Sequence, residues 1–577
     1  MALYEKHKFR RSIQLDGVWN FLPDPQNNGK DAHWECGLPV DASAIVVPGV
    51  WNTLPQYEYY EGTMWYQRHI FFPGGNCGFR FEGILHRATV FVDGIQVGEH
   101  TVGFTPFQII IPNLSAGEHL LVIRVSNDTS SVESVPPFRA DWFCYGGIFR
   151  SVFMWVLPEA WIDTCKITYQ LSDTDSAAVK LQACIGLADG VRPPFRLTVK
   201  ADQQESSFCI ASCPESNHID FEAHLLIEKI QRWDIDSPNL TVFHLTLERG
   251  RKVYDDLICR TGFRTIEAYD GSILLNGHPV YIRGINRHAE HPDWGQAIPP
   301  ALELRDVDLI SSQLFCNAIR GSHYPNSEEV LDYCDEKGVL FWEEIPLWQC
   351  KKEQLCDKNF QVNSVQMLKE MILRDLHHPC IILWGLHNEC ETETAQGEKL
   401  TQLLAQNARS FDASRLITFA SDRPLSDCCF KYADVISINK YYGWYEGDMH
   451  DWAFNIEKWI NHFEQNGMGN KPIIISEFGC EAISGEDSYS VRKWNEPYQA
   501  QLLDFVLPLF QNHPRICGSY IWQFADVRAS PRMEMIRPRC YNNKGILDAY
   551  RKPKLGARSI QELYRKNSQN DKKQSAE

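Results

Sequence analysis

Three domains in series are what the sequence predicts: an N-terminal β-sandwich of jelly-roll type, an immunoglobulin-like β-sandwich and a C-terminal (β/α)8 TIM barrel. Three observations carry that reading. The chain has 577 residues, more than one hydrophobic core usually serves. Through residue 265 its apolar residues alternate in short runs broken by turn signals, the pattern of half-buried antiparallel strands. Past Gly262 the period changes, and short continuous apolar runs alternate with longer segments of helical spacing. Parallel strands joined by crossover helices produce that alternation.

Residues 1–160 supply WYQRHIFF, RATVFVDGIQV and HLLVIRVSN, punctuated by Asp93-Gly94 and Ala116-Gly117. Residues 161–265 repeat the theme in AWIDTCKITYQL, VKLQACIGL, FRLTVKA and LTVFHLTLERG, enough for a second, smaller sandwich. Residues 266–566 hold eight strand runs: VYIRGINRH, CNAIRGSHYP, VLFWEEIPLW, CIILWGLHNE, LITFASD, DVISINKYY, PIIISEFG and ICGSYIWQFAD. Helical patterns lie between them, among them residues 301–315, 327–338, 362–378 and 451–465. A complete β/α count of eight closes a barrel. The stretch 567–577 is poor in apolar residues and reads as a disordered tail.

Composition narrows the function. Lys and Arg number 57 against 74 Asp and Glu, a net charge of −17 spread without basic blocks, which argues against nucleic acid as a partner. The opening MALYEKHKFRRSIQ is polar and basic, so no secretory signal is expected. No apolar run approaches the roughly 18 to 20 residues of a membrane span. Nineteen cysteines without CxxC spacing read as reduced thiols, and the expected location is the cytoplasm. His288 with His291, and His377 with His378, lack further ligands at zinc spacing. GxGxxG, GxxxxGK[ST] and GxSxG are absent, so neither a metal nor an organic cofactor is expected.

The eight strand runs have apolar interiors, while their C-terminal ends carry Asn286, Arg287, His288, His323, Tyr324, Glu343, Glu344, His387, Asn388, Glu389, Tyr441, Tyr442, Glu477, Trp522 and Asp526. Strand ends of one barrel face one pocket. Glu389 ends the fourth run and Glu477 lies near the end of the seventh; two carboxylates so placed are the minimum machinery for breaking a glycosidic bond. Asn388 is suited to hydrogen-bond the hydroxyl beside the reacting carbon, a contact that strengthens as the oxocarbenium develops. One carboxyl must be desolvated to act as an acid, which Trp384 and Leu386 can supply. The other must be held ionised by hydroxyl or cationic neighbours, for which Tyr441 is the candidate. Position alone leaves the two roles exchangeable. Glu343 and Glu344 read as carboxylates that hold arginine side chains.

Five ordered motifs, DWFCYGGIFRSV (141–152), GINRH (284–288), RGSHYP (320–325), the run ending Asn388-Glu389, and ISEFG (475–479), resemble glycoside hydrolase family 2, and within it the β-glucuronidase branch. The resemblance covers nearly the whole chain. It implies a retaining mechanism with Glu389 as acid/base and Glu477 as nucleophile, Asn388 on the 2-hydroxyl and Tyr441 orienting Glu477. It also implies that Asn542 and Lys544 of CYNNKGI clamp the C6 carboxylate of a uronic acid, a task suited to a compact ammonium beside a neutral donor. Tyr445 and Trp522 would wall the sugar site with His323, and Asp141 would reach the sugar's outer hydroxyls from the jelly roll. Homodimers or tetramers are implied as well.

The expected substrates are β-uronide conjugates or oligosaccharides, terminal β-D-glucuronides first. Three segments depart from the branch: AEHPDWGQAIPP after GINRH, WEEIPLW at the third strand, and PRMEMIRPRC before the clamp. They leave open a β-D-galacturonidase or an enzyme taking both uronides, with Arg537 or Arg539 on the 4-hydroxyl. A neutral β-galactosidase and a non-catalytic carbohydrate-binding protein are the other readings.

Overall fold

The computed structural model describes residues 4–172, 175–211, 217–532 and 537–574, with side chains to 566. In the N-terminal domain the alternating runs become an eight-stranded antiparallel network. Two long strands, Thr63–Phe81 and Phe107–Ser126, pair along most of their length. Every second residue faces inward, which gathers Trp19, Phe21, Met64, Tyr66, Phe79 and Ile123 into one core. The middle domain closes a three-stranded sheet (Ala160–Leu171, Ser176–Leu187, His218–Glu228) over a four-stranded one (Gln204–Ile210, Phe195–Ala201, Thr241–Arg249, Lys252–Thr261). Ile185, Leu197 and Leu245 share its core.

Eight parallel strands form a closed barrel: β1 (Ile282–Asn286), β2 (Ala318–Gly321), β3 (Leu340–Glu344), β4 (Ile381–Asn388), β5 (Leu416–Ser421), β6 (Ile436–Asn439), β7 (Ile473–Phe478) and β8 (Ile516–Ile521). β8 pairs back onto β1. Each strand is buried along its whole length because side chains fill the inside and helices cover the outside. The polar tails of the sequence runs leave the ladder at the barrel mouth.

Local chemistry moves several element ends. Periodicity places a helix over 362–378, but the helix is Lys358–Asp375. Asp357 caps it by accepting from Phe360 N at 2.8 Å, and Pro379 follows its end. The 301–315 pattern divides into a helix, Pro300–Asp308, and a π-helical turn, Leu309–Gln313. Helix Leu555–Gln574 runs through 567–574, where composition points to a disordered tail; Lys and Gln are good helix formers. Residues 575–577 of that tail lie outside the described residues. Among the described residues no helix is long and apolar enough to cross a membrane, and the eighteen described cysteines are free thiols.

The sandwich touches the barrel mouth through residues 129–143. Arg532 donates to Thr129 Oγ1 and to Phe138 O, each at 3.0 Å. The Arg528 guanidinium lies 3.8 Å from the centre of the Phe143 ring, and Trp142 pairs with Ala529. Asp141 is thereby held at the mouth.

Candidate active site

Glu389 leaves β4 with φ of 52°, a left-handed conformation that costs a side-chain-bearing residue about 1–2 kcal/mol. Its amide donates to Ala420 O at 2.8 Å. Its carboxyl receives Gln349 Nε2 at 2.9 Å and Asn439 Nδ2 at 2.7 Å, both neutral donors. Burial first, then the charges of Glu477 and Asp422, push the carboxyl up to about 8, so Glu389 holds its proton at neutral pH.

Glu477, buried at the end of β7, has the opposite company. Arg320 Nη1 donates to one oxygen and Tyr441 OH to the other, each at 2.7 Å. Arg320 is the hub of the site. It is bidentate to Glu344 at 2.9 Å on both arms, donates to Asn388 Oδ1 at 2.8 Å and lies 4.5 Å from the centre of the Trp342 ring. Asn388 Oδ1 also receives Asn439 at 3.0 Å. Two donors on the oxygen fix the amide's orientation, and Asn388 Nδ2, though buried, has no protein partner. The two carboxyls are thus joined through Asn439, Asn388 and Arg320.

His323 donates from Nδ1 to Glu344 Oε1 at 2.6 Å and stacks on Trp522 with ring centres 5.1 Å apart. Burial, then Arg320, depress its pKa to about 3, so it is a neutral ring. His288 stands 5.4 Å from Trp522, and Trp142, from the sandwich, 5.5 Å from His323. Gly479 lets the loops after β7 and β8 meet: its φ is 148°, and a Cβ there would lie 2.5 Å from Trp522 O.

The other end of the site is an ion network. Lys544, 1% exposed, donates to Tyr445 OH at 2.7 Å and to Glu481 Oε1 at 3.1 Å, and its ammonium lies 4.7 Å from the centre of the Tyr445 ring. Two of its three donors are used. Arg537 bonds the same Glu481 oxygen and pairs with Asp141 at 3.0 Å; Asn542 Nδ2 donates to Asp141 at 3.4 Å. Burial alone would raise the Glu481 carboxyl, but Lys544 and Arg537 outweigh it and hold it below the ordinary value. Arg539 is exposed, so only Arg537 of the two expected arginines joins the cluster.

All ten residues singled out for catalysis or binding are therefore gathered at the barrel mouth, although Tyr445 keeps 46% of its surface exposed. Other strand-end residues point elsewhere. Arg287 pairs with Asp306 at 3.0 Å, Glu343 with Arg374 at 3.4 Å and Asp526 with Lys554 at 2.7 Å. His387 bonds Thr401, and Tyr442 packs on Trp452 and Trp459. Alternation sends neighbouring side chains to opposite faces of a strand, so a strand-end position admits only some of its residues to the pocket. Arg320, Asn439, Gln349 and Glu481 join the site without being marked by strand-end position. Arg320 opens RGSHYP and Asn439 opens NKYYGWY, which was signal enough; Gln349 carried none.

A buried carboxylic acid and a cation-held carboxylate, linked by one hydrogen-bond chain at the ends of barrel strands with amides and aromatic faces around them, define a glycoside hydrolase. The chain belongs to the glycosyl hydrolases family 2. The family's sugar binding domain matches residues 13–158, a further family 2 domain 160–264 and its TIM barrel domain 266–568. The chain is 26% identical to the β-glucuronidase of Paenibacillus borealis, over 97% of this chain and 98% of that protein. It is similar in structure to a GH2 β-galacturonidase from Eisenbergiella tayi bound to galacturonate, with a TM-score of 0.90 at 32% identity over 98% of this chain and 99% of that one. The Ruminococcus gnavus β-glucuronidase gives a TM-score of 0.86 at 25% identity over 98% and 99%.

Proposed function

We propose that the protein is a retaining exo-β-hexuronidase releasing terminal β-D-glucuronic acid from conjugates or oligosaccharides. Lys544 carries the reading: a buried ammonium with one donor left over, beside Asn542, is matched to a C6 carboxylate, which can take that donor as a charge-assisted bond. Glu389 gives its proton to the leaving oxygen as Glu477 attacks the anomeric carbon, so the bond to the aglycone breaks while a glycosyl ester forms on Glu477. Glu389, now ionised, then takes a proton from water, which displaces Glu477 and returns the β-configuration. Arg320 and Tyr441 orient Glu477, and the unpartnered Asn388 Nδ2 donates to the 2-hydroxyl. The Asp141–Arg537 pair supports exo action, since its link to Glu481 sets it beside Lys544, where it would meet the sugar's outer hydroxyls.

A second reading, a β-D-galacturonidase or an enzyme acting on both uronides, is favoured by Arg537, a buried cation that adds donors at the sugar's outer edge, and by the likeness to the Eisenbergiella tayi enzyme. Parallel assays of p-nitrophenyl β-D-glucuronide, β-D-galacturonide and β-D-galactoside test both. The uronides are expected to turn over far faster than the galactoside. A faster galactoside rejects the clamp, and no turnover on any of them favours a carbohydrate-binding protein. Proton NMR of the first-formed sugar is expected to show the β-anomer; an α-anomer rejects retention.

A further inference from the structure

Glu389 has company on both flanks of β4 that the mechanism does not use. On one flank the chain after β3 runs on beside it: Trp348 bridges Asn388, Asn388 N donates to Leu347 O at 2.7 Å, and Gln349 N donates to Asn388 O at 2.9 Å. That register, kept one residue further, sets Gln349 opposite Glu389. The two share a left-handed backbone, with φ of 46° and 52°, so both chains turn at the same step. Such a conformation is uncommon in side-chain-bearing residues and gathers at functional sites. On the other flank Asn388 pairs with Ala420 of β5, and Asp422 stands two residues on. Arg423 Nη1 ties this loop to Cys390 O at 3.0 Å.

Both flanking residues carry an acceptor that, among the described residues, takes no hydrogen bond. Gln349 spends Nε2 on Glu389, while its Oε1 has no donor and the side chain is partly exposed. Asp422 is held by Arg423, whose Nη2 donates to Oδ2 at 3.0 Å. Nη2 also lies 3.0 Å from Oδ1 as an ion pair, but Oδ1, itself buried, receives no hydrogen bond. The Asp422 charge is also one of those that push the Glu389 carboxyl up, which sets it beside the acid. A buried carboxylate oxygen without a donor is costly, and a ligand that brings one relieves it.

We propose that Gln349 Oε1 and Asp422 Oδ1 form the subsite for the leaving group, and that the leaving group is a neutral sugar residue whose hydroxyls donate to both. The inference rests on the hexuronidase reading and narrows it from conjugates at large to oligosaccharides. A leaving group that takes its proton from Glu389 comes within reach of both flanks. An apolar aglycone would cover Asp422 Oδ1 without giving it a donor, and an anionic one would face its charge. Sugar hydroxyls supply donors without adding charge.

Two glycosides of whichever uronic acid the nitrophenyl assay favours test this. One is the β-uronosyl-glucose disaccharide linked through a secondary hydroxyl; the other is the cyclohexyl β-uronide, whose leaving ring has the same size and no further hydroxyls. By kcat/KM the full chain is expected to prefer the disaccharide. Asp422→Ala should reduce that preference about 10- to 100-fold, the scale of a charge-assisted bond. Asp422→Asn, which keeps an acceptor oxygen, should restore part of it. Gln349→Met should reduce it about threefold to tenfold; any effect through Glu389 falls on both glycosides and cancels in the ratio. A variant that loses its fold fails on both glycosides and melts early, and the other two then decide. A preference that the folded variants leave at the wild-type value overturns the proposal. So does a wild type that cleaves the cyclohexyl uronide faster, or one that cleaves nitrophenyl uronides alone. A wild type that cleaves no uronide at all removes the hexuronidase reading itself, and the proposal with it.

Discussion

Glu477 and Glu389 are held by Arg320 and Asn439, which sit on β2 and β6, with Tyr441 and Gln349 adding one donor each from the adjoining loops. Lys544, at the other end of the same pocket, is held by residues of loops, and its network reaches Asp141 in a different domain. The catalytic end is asymmetric in charge: neutral donors and burial on one carboxyl, a guanidinium on the other. The proposed clamp end alternates Asp141, Arg537, Glu481 and Lys544, two anions with two cations, and on that reading would receive a carboxylate through directed donors. Strands hold reacting groups rigidly, while loops can vary without disturbing them. The comparison predicts that damage at the two ends separates by substrate.

Glu477→Gln should have the largest effect, on the order of 10^5-fold or more in kcat on every substrate, the scale of losing a covalent nucleophile. Steady-state kinetics on nitrophenyl and alkyl uronides checks it. Glu389→Gln should cost about 10^2 to 10^4 on alkyl glycosides, whose leaving group needs a proton, and much less on nitrophenyl ones. On the proposed mechanism Glu389 works as the protonated acid, and its carboxyl lies at about 8, so kcat/KM should fall as pH rises through that value. The alkaline limb should vanish in Glu389→Gln, and a limb that persists would assign the titration to another group.

Lys544→Ala should lower kcat/KM on uronides by about 2 to 4 kcal/mol, roughly 30- to 1,000-fold, with β-galactoside rates unchanged. Equal losses on both substrate classes would join the clamp to the catalytic end and end the comparison. Asp141→Asn should be the mildest, about tenfold, since it removes one charge-assisted link. Its effect should fall on KM more than kcat.

Much of this was legible in the chain. A strand buried on all sides is an unbroken apolar run, so the runs ending at Asn388 and Phe478 locate the mouth and deliver Glu389 and Glu477 to it. The same rule over-reads: Arg287, Glu343, His387 and Tyr442 also close strand runs but face the outer helices, and Asp526 pairs with Lys554. Helix ends followed caps more closely than periodicity, as Asp357 shows. Arg320 stood inside a recognised motif, yet its link to Glu477, 157 positions away, has no local trace.

The sequence by itself determined the order of three domains, the strand count and the placing of the two carboxylates at strand ends, because periodicity and burial are written residue by residue along the chain. Tertiary structure decided which carboxyl keeps its proton, which arginine joins the clamp and that Asp141 meets Arg537, 396 positions away. Those are pairwise electrostatic matters, and they acquire values only when barrel closure and domain docking set the distances between charges and remove the water.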